Sequence, residues 1–148
     1  MLQSPLLAVM IMAVAGMAIA LQAPINSALG RSIDSSLAAA AISFGVGFAT
    51  LLVLVALGGE TGAFARAGAV PKWLFLGGAL GAFYVWAALW GVPILGVLTT
   101  ITVVILGQMA AALLLDYIGA FGLVARDLSP ARILAVLLVA GGVILSRY

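Results

Sequence analysis

The side chains that could do chemistry are a few polar groups set inside long apolar stretches. The stretch 94–122 carries Gln108 near its middle and Asp116 near its far end, and the first apolar stretch carries Gln22 and Asn26. Polar groups are expensive to place in hydrocarbon, so such residues are functional candidates by default. Amides can hydrogen-bond an uncharged polar solute or hold either sign of charge with modest affinity, and a carboxylate can carry a proton.

Asp116 has two interpretations. In the first, it gates a pathway or carries a proton; in the second, it lies at the membrane surface and pairs with Arg126 or Arg132. Helical spacing puts Thr100, Gln108 and Asp116 near one face, with some drift. This pattern favours Gln108 for contacts with a substrate at mid-membrane depth and leaves both roles of Asp116 open.

The two amides of the first stretch, Gln22 and Asn26, are four residues apart and therefore share a helix face. Pro24, between them, cannot donate to the carbonyl of Ala20, so a kink or a loosened turn is expected there. The amides could contact a substrate, or they could only join neighbouring helices by hydrogen bonds of about 0.6 kcal/mol each.

Composition restricts the class of protein. The chain is 66% hydrophobic and 7% charged, against about 25% charged residues in a globular domain, which indicates an integral membrane protein. Its net charge is +2 and its basic residues are scattered singly, so nucleic acid is not expected as a partner. With no Cys and no His, we expect no disulfide, no metal site of the common kinds and no cofactor.

Apolar patterning predicts an all-α integral membrane protein whose residues 1–148 form a single membrane domain. Five transmembrane helices are expected, at about 5–28, 37–57, 73–92, 95–118 and 131–146.

Local signals mark the ends of these helices. Residues 34–36 are expected to cap the second helix, and Ser129 with Pro130 marks the start of the last. A short interfacial helix is expected around Phe64, and the uncharged segment 91–96 is expected to turn the chain between the third and fourth helices.

The third helix combines a packing motif with aromatic surface. Gly77 and Gly81 form a GxxxG pattern, which is typical of close helix packing in an apolar span. Tyr84 follows, and Trp86 and Trp90 lie four residues apart on one face. Their rings could line a cavity for an apolar or cationic substrate, or they could anchor the helix at the membrane edge.

An odd number of membrane helices places the two termini on opposite sides of the bilayer. Four basic residues then lie on the amino-terminal side and two on the other; they are Arg66, Lys72, Arg126 and Arg132 against Arg31 and Arg147. The positive-inside rule puts the amino terminus in the cytoplasm, but so small a bias allows a fraction of chains to insert the other way up. An antiparallel homodimer of such chains would have ten helices and an inverted repeat, as many transporters do.

The order of motifs resembles the small five-helix YdcZ-type family of the drug/metabolite transporter superfamily. The resemblance lies in QAPINSALGR at 22–31, GGALGAFYVW at 77–86, P-x-x-G at 93–96, GQ at 107–108 and D-x-x-G-x-x-G at 116–122. Tyr117 stands where a His commonly follows the Asp in that family, so no proton role for such a His is implied. The resemblance implies half of a ten-helix inverted-repeat transporter fold, working as an antiparallel homodimer or with a sister chain.

Three functions are therefore considered. The leading one is a small-solute transporter of the bacterial inner membrane, multi-pass, with alternating access. Its substrate contacts would be Gln22, Asn26, Tyr84, Trp86, Thr100 and Gln108, with Asp116 as gate or coupling residue. The alternative is a non-transporting membrane scaffold or assembly partner, in which the glycines and amides only hold helices together. An enzyme is not expected, because no nucleophile and base pair or metal cluster occurs in the spans.

Overall fold

The computed structural model describes residues 4–148, and in this range the secondary structure is entirely helical. Two 3-10 turns, Lys72–Phe75 and Ala120–Gly122, accompany the α-helices. The α-helices are α1 (Pro5–Ser32), α2 (Ser36–Leu57), α3 (Ala63–Ala67), α4 (Leu76–Leu95), α5 (Val97–Ile118) and α6 (Pro130–Leu145).

Four segments are long and apolar enough to cross a bilayer. They are Pro5–Ser32, Ser36–Leu57, Lys72–Leu95 and Val97–Ile118, and α6 is a shorter apolar helix of 16 residues. At 1.5 Å per residue, α6 is about 24 Å long, which is less than a hydrocarbon core of about 30 Å. The chain is thus a helical membrane protein, as its composition predicted.

The local signals at three helix starts have the expected structural basis. The Ser35 hydroxyl accepts a hydrogen bond from the Ala38 N–H at 3.1 Å, which caps α2. Ser129 caps α6 in the same way, with its hydroxyl 3.3 Å from the Arg132 N–H. The short helix expected around Phe64 is α3. The two caps and the presence of a helix around Phe64 are confirmed, and the position of α3 at the membrane interface stays a prediction.

Two helices that contain a proline end later than predicted. α1 continues through Pro24 to Ser32, beyond the predicted end at residue 28. α4 likewise continues through Pro93 to Leu95, so within the predicted turn segment 91–96 the helix is interrupted only at Gly96. The chain turns at Gly96, whose φ of 79° is a conformation that favours glycine.

The chain divides into two compact units, the first ending at Val92 and the second beginning at Pro93. In the first unit α1 pairs with α2. Val85 and Leu89 of α4 form a small core with Ala39 and Ala40 of α2, and Tyr84 and Leu29 pack against its edge. Alanines at the centre let helix backbones approach closely.

In the second unit α5 and α6 form an antiparallel hairpin. At one end, the Thr99 hydroxyl donates to the Ser146 carbonyl oxygen at 2.9 Å. At the other end, Asp116 forms an ion pair with Arg132. The hairpin is therefore joined by a polar contact near each end.

Candidate functional site

The candidate site is a cavity of about 290 Å³ in the first unit, open on one side. It lies between α1, α2 and α4, which contribute one, five and one lining residues. They are Gln22, Ser43, Phe44, Gly47, Phe48, Leu51 and Val85. A volume of this size is near the lower end of the range for small-molecule sites, about 300 to 1,000 Å³.

Gln22 supplies the free polar group of this cavity. Its side chain is exposed, and among the residues that the structure describes it has no hydrogen-bond partner. Gln22 lies ten residues before Ser32, the last residue of α1, which is about 15 Å along the helix axis. An amide at this depth can donate and accept hydrogen bonds where little else competes for them.

Asn26, one helical turn further along α1, is already occupied. It is 7% exposed, and its amide donates to the Ser43 hydroxyl of α2 at 2.8 Å. This bond joins α1 to α2. The bond uses one N–H of the Asn26 amide, whereas the Ser43 hydroxyl keeps its own hydrogen available to donate toward the cavity.

Gln22, Asn26 and Tyr84, three of the predicted substrate contacts, lie together around a much smaller space. They line a void of about 10 Å³ between α1 and α4. A void this size is at the lower limit for one water molecule. The solute-sized space lies instead on the α2 side of Gln22.

The other aromatic candidate, Trp86, lies outside the lining of both spaces. It is 36% exposed, and its ring centroid is 5.9 Å from that of Phe83, with the planes tilted by 47°. The rings that line the cavity belong to Phe44 and Phe48. A substrate contact for Trp86 stays a prediction.

Two further candidates lie on α5, in the second unit. Thr100 is buried, and its hydroxyl donates to the Gly96 carbonyl oxygen at 2.7 Å. This bond is local and helps to begin α5 after the turn at Gly96. Gln108 is exposed and has no hydrogen-bond partner among residues 4–148, so its amide is free to bind.

The Asp116 carboxylate is paired with the Arg132 guanidinium, which is one of the two partners that its second interpretation names. Asp116 is in the last turn of α5 and Arg132 in the first turn of α6. Each charge is at the helix end where the helix dipole disfavours it. Because each side chain is only 31% exposed, the pair offsets these two unfavourable positions.

The motif D-x-x-G-x-x-G shapes the loop beside this ion pair. Gly119 ends α5 in the left-handed conformation, with φ 60° and ψ 37°, and Gly122 has φ 78°. The loop then returns to the helix end, where the Arg126 N–H donates to the Asp116 carbonyl oxygen at 2.8 Å. The motif thus fixes the position of the loop relative to the end of α5, where Asp116 lies.

The glycines of the GxxxG pattern have different surroundings. A Cβ added at Gly81 would lie 3.6 Å from the Phe44 ring, so α2 and α4 meet there through glycine and an aromatic side chain. A Cβ added at Gly77 would meet nothing within 4 Å. Packing at Gly77 stays a prediction.

The residues of α2 are the part of the site that sequence reasoning missed. No residue of this helix is among the predicted substrate contacts. Ser43, Gly47 and Leu51 recur at intervals of four and therefore share one face. Small residues at this spacing are typical of close helix packing, so the pattern alone does not distinguish a neighbouring helix from a solute.

Comparison with known proteins gives one family. The family model described as "Putative inner membrane exporter, YdcZ" matches residues 7–145. No curated protein matches, and no solved structure matches.

Proposed function

Because this chain belongs to the YdcZ family of inner membrane exporters, we propose that it moves small solutes across the inner membrane. It is a multi-pass protein of that membrane, with several helices that are long and apolar enough to cross it. We propose transport and not catalysis, in keeping with the family description.

The observation that carries the proposal is the 290 Å³ cavity with an unpaired amide at Gln22. A scaffold would need only packed helix faces, and an open cavity with a free polar group would cost it stability. A bound solute would fill the cavity and would form a hydrogen bond with the Gln22 amide. Tyr84, Trp86, Thr100 and Gln108 are proposed as further contacts along the pathway.

We propose that the working unit is an antiparallel homodimer with five membrane helices per chain and alternating access. The four-to-two distribution of basic residues is a weak bias, which allows insertion in both orientations. Most large apolar side chains of the described helices are exposed, and Gly77 has open space beside it. Lipid and a second chain would cover these faces. At Gly77, a helix of the second chain could then approach the backbone of α4 closely.

Asp116 is proposed as a coupling or gating residue that acts through Arg132. The ion pair joins the last turn of α5 to the first turn of α6, so breaking it would release α6 from the end of α5. In Asp116→Asn proteoliposomes, we expect substrate-driven proton flux to be lost or reduced. Proton flux equal to that of the wild type would remove the coupling role.

The function is tested by solute retention. Proteoliposomes would be loaded with a set of radiolabelled uncharged, cationic and anionic solutes, and retention would be compared with that of protein-free liposomes. We expect faster loss of at least one solute with the wild-type chain, and slower loss of that solute with Gly47→Leu, which fills the cavity. Folded wild-type protein that leaves every retention time unchanged would contradict transport and favour the scaffold.

A further inference from the structure

We propose that the cavity between α1 and α2 selects uncharged aromatic solutes that carry one hydrogen-bonding group. This inference rests on the proposed transport function and specifies its substrate class. Three observations carry it: the apolar and aromatic lining, the single free amide, and the absence of a charged residue from that lining.

The residues that line the cavity determine the size and the apolar, aromatic character of the ligand. Phe44, Phe48, Leu51 and Val85 are apolar, and Gly47 leaves open space where any other residue would place a side chain. Aromatic rings pack against such walls in offset or edge-to-face arrangements. A solute with one or two fused rings fits a space of about 290 Å³.

The polar groups determine where the ligand is held. Gln22 has a free amide, and the Ser43 hydroxyl accepts from Asn26 and can itself donate. A lipid acyl chain in the cavity would leave the Gln22 amide unpaired in an apolar setting, which is costly. A solute with a hydroxyl or carbonyl group pairs it, so a solute is favoured over lipid as the occupant.

Electrostatics determine the charge of the ligand. In the described spans, α2 and α4 contain no charged residue, and α1 has only Arg31 near its end. The carboxylate of Asp116 is paired with Arg132. A charged solute would therefore lose its hydration without gaining a counter-ion, whereas an uncharged solute has no such penalty.

The chain offers a matched pair of variants for the test. Gly45 and Gly47 are both in α2, and a Cβ added at either would meet nothing within 4 Å. Only Gly47 lines the cavity, because two residues along a helix is close to a half turn. Gly47→Leu therefore fills the cavity, and Gly45→Leu adds the same side chain elsewhere.

The experiment is equilibrium dialysis of the full chain in nanodiscs against three probes with the same ring system. The probes are 2-naphthylmethanol, 2-naphthoate and (2-naphthylmethyl)trimethylammonium, which are uncharged, anionic and cationic. Empty nanodiscs correct for partition into lipid. Thermal unfolding of each variant confirms that it is folded.

We expect wild type and Gly45→Leu to bind the alcohol equally, and Gly47→Leu to bind it at least about tenfold more weakly. Gln22→Leu should weaken binding of the alcohol by about two- to tenfold, the value of one hydrogen bond. Both charged probes should bind wild type at least about tenfold more weakly than the alcohol.

Other results would overturn the inference. Equal binding to Gly47→Leu, or no saturable binding of the alcohol, would show that the cavity is not a solute site. Tighter binding of the cation would show that the phenyl rings select positive charge instead. If the alcohol binds as expected but solute retention is unchanged in proteoliposomes, the cavity inference stands and the transport function fails.

Discussion

Gln22 and Asn26 lie one turn apart on α1, yet only the Asn26 amide has a partner within the described chain. Asn26 is shorter and buried against α2, where the Ser43 hydroxyl accepts a hydrogen bond from its amide N–H. Gln22 is exposed and reaches the cavity. Two amides of the same chemistry thus have different roles, one joining helices and one available to a ligand.

The bond between Asn26 and Ser43 should be measurable by a double-mutant cycle. We expect a coupling of about 0.6 kcal/mol between Asn26→Ala and Ser43→Ala in the free energy of unfolding, which is typical of hydrogen bonds between membrane helices. Unfolding in mixed micelles by denaturing detergent would measure it. Strictly additive losses would show that the two side chains do not interact.

Exchanging the two charges of the Asp116–Arg132 ion pair should lower the free energy of unfolding less than removing either side chain. Asp116→Ala and Arg132→Ala should each lower the free energy of unfolding by about 1 kcal/mol, the upper end for partly exposed pairs. The double change Asp116→Arg with Arg132→Asp should regain this loss, because each charge then lies at the helix end that favours it. A swap less stable than either single variant, in the same unfolding assay, would contradict this account.

At the scale of the element, the end of α5 depends on one glycine. Gly119 has φ 60°, and a Cβ added there would lie 3.0 Å from the Leu123 carbonyl oxygen and 3.3 Å from the Ala125 Cβ. The return of the loop, which brings the Arg126 N–H to the Asp116 carbonyl oxygen, requires this conformation. The loop is therefore part of the hairpin and not a free connection.

Gly119→Ala should lower the free energy of unfolding by at least about 1 kcal/mol, since an L residue is strained in the left-handed region and has no room here. The matched control is Gly107→Ala in the same helix, where a Cβ would meet nothing within 4 Å. That change should be neutral or stabilising by up to about 1 kcal/mol. Equal effects in thermal unfolding would show that Gly119 has no special conformation.

The sequence predicted helix starts better than helix ends. Ser35 and Ser129 act as caps through hydrogen bonds within three residues, so their role is readable locally. Pro93 was expected to end a helix, but a proline removes only one donor, and α4 continues to Leu95. The turn required a positive φ instead, which Gly96 provides.

At the scale of the whole molecule, class and family could be predicted, whereas the cavity could not. Composition and the length of the apolar segments depend on many residues at once. They indicated a helical membrane protein without knowledge of any contact between residues. The cavity depends on which face of α2 meets α1 and α4. The apolar residues around Ser43, Phe44 and Phe48 lie on every face of α2, so periodicity could not select the side that lines the space.

Insertion in both orientations can be tested directly, because the chain has no Cys. A single Cys at Thr61, in the exposed connection between α2 and α3, should be labelled by an impermeant maleimide in about half of the chains in intact cells, as two equally populated orientations require. Lysed cells provide full labelling as the reference. Labelling near zero or near completion in intact cells would contradict the antiparallel dimer.

The small core has a further consequence. Among the described residues, Leu89 is the largest side chain that is fully buried, and its neighbours in the core are mainly alanines and valine. A chain with so few internal contacts gains much of its stability from whatever covers its outer faces. If that cover is a second copy, mass action makes the melting temperature rise with protein concentration at a fixed detergent-to-protein ratio. A melting temperature independent of dilution would instead assign the cover to lipid or detergent.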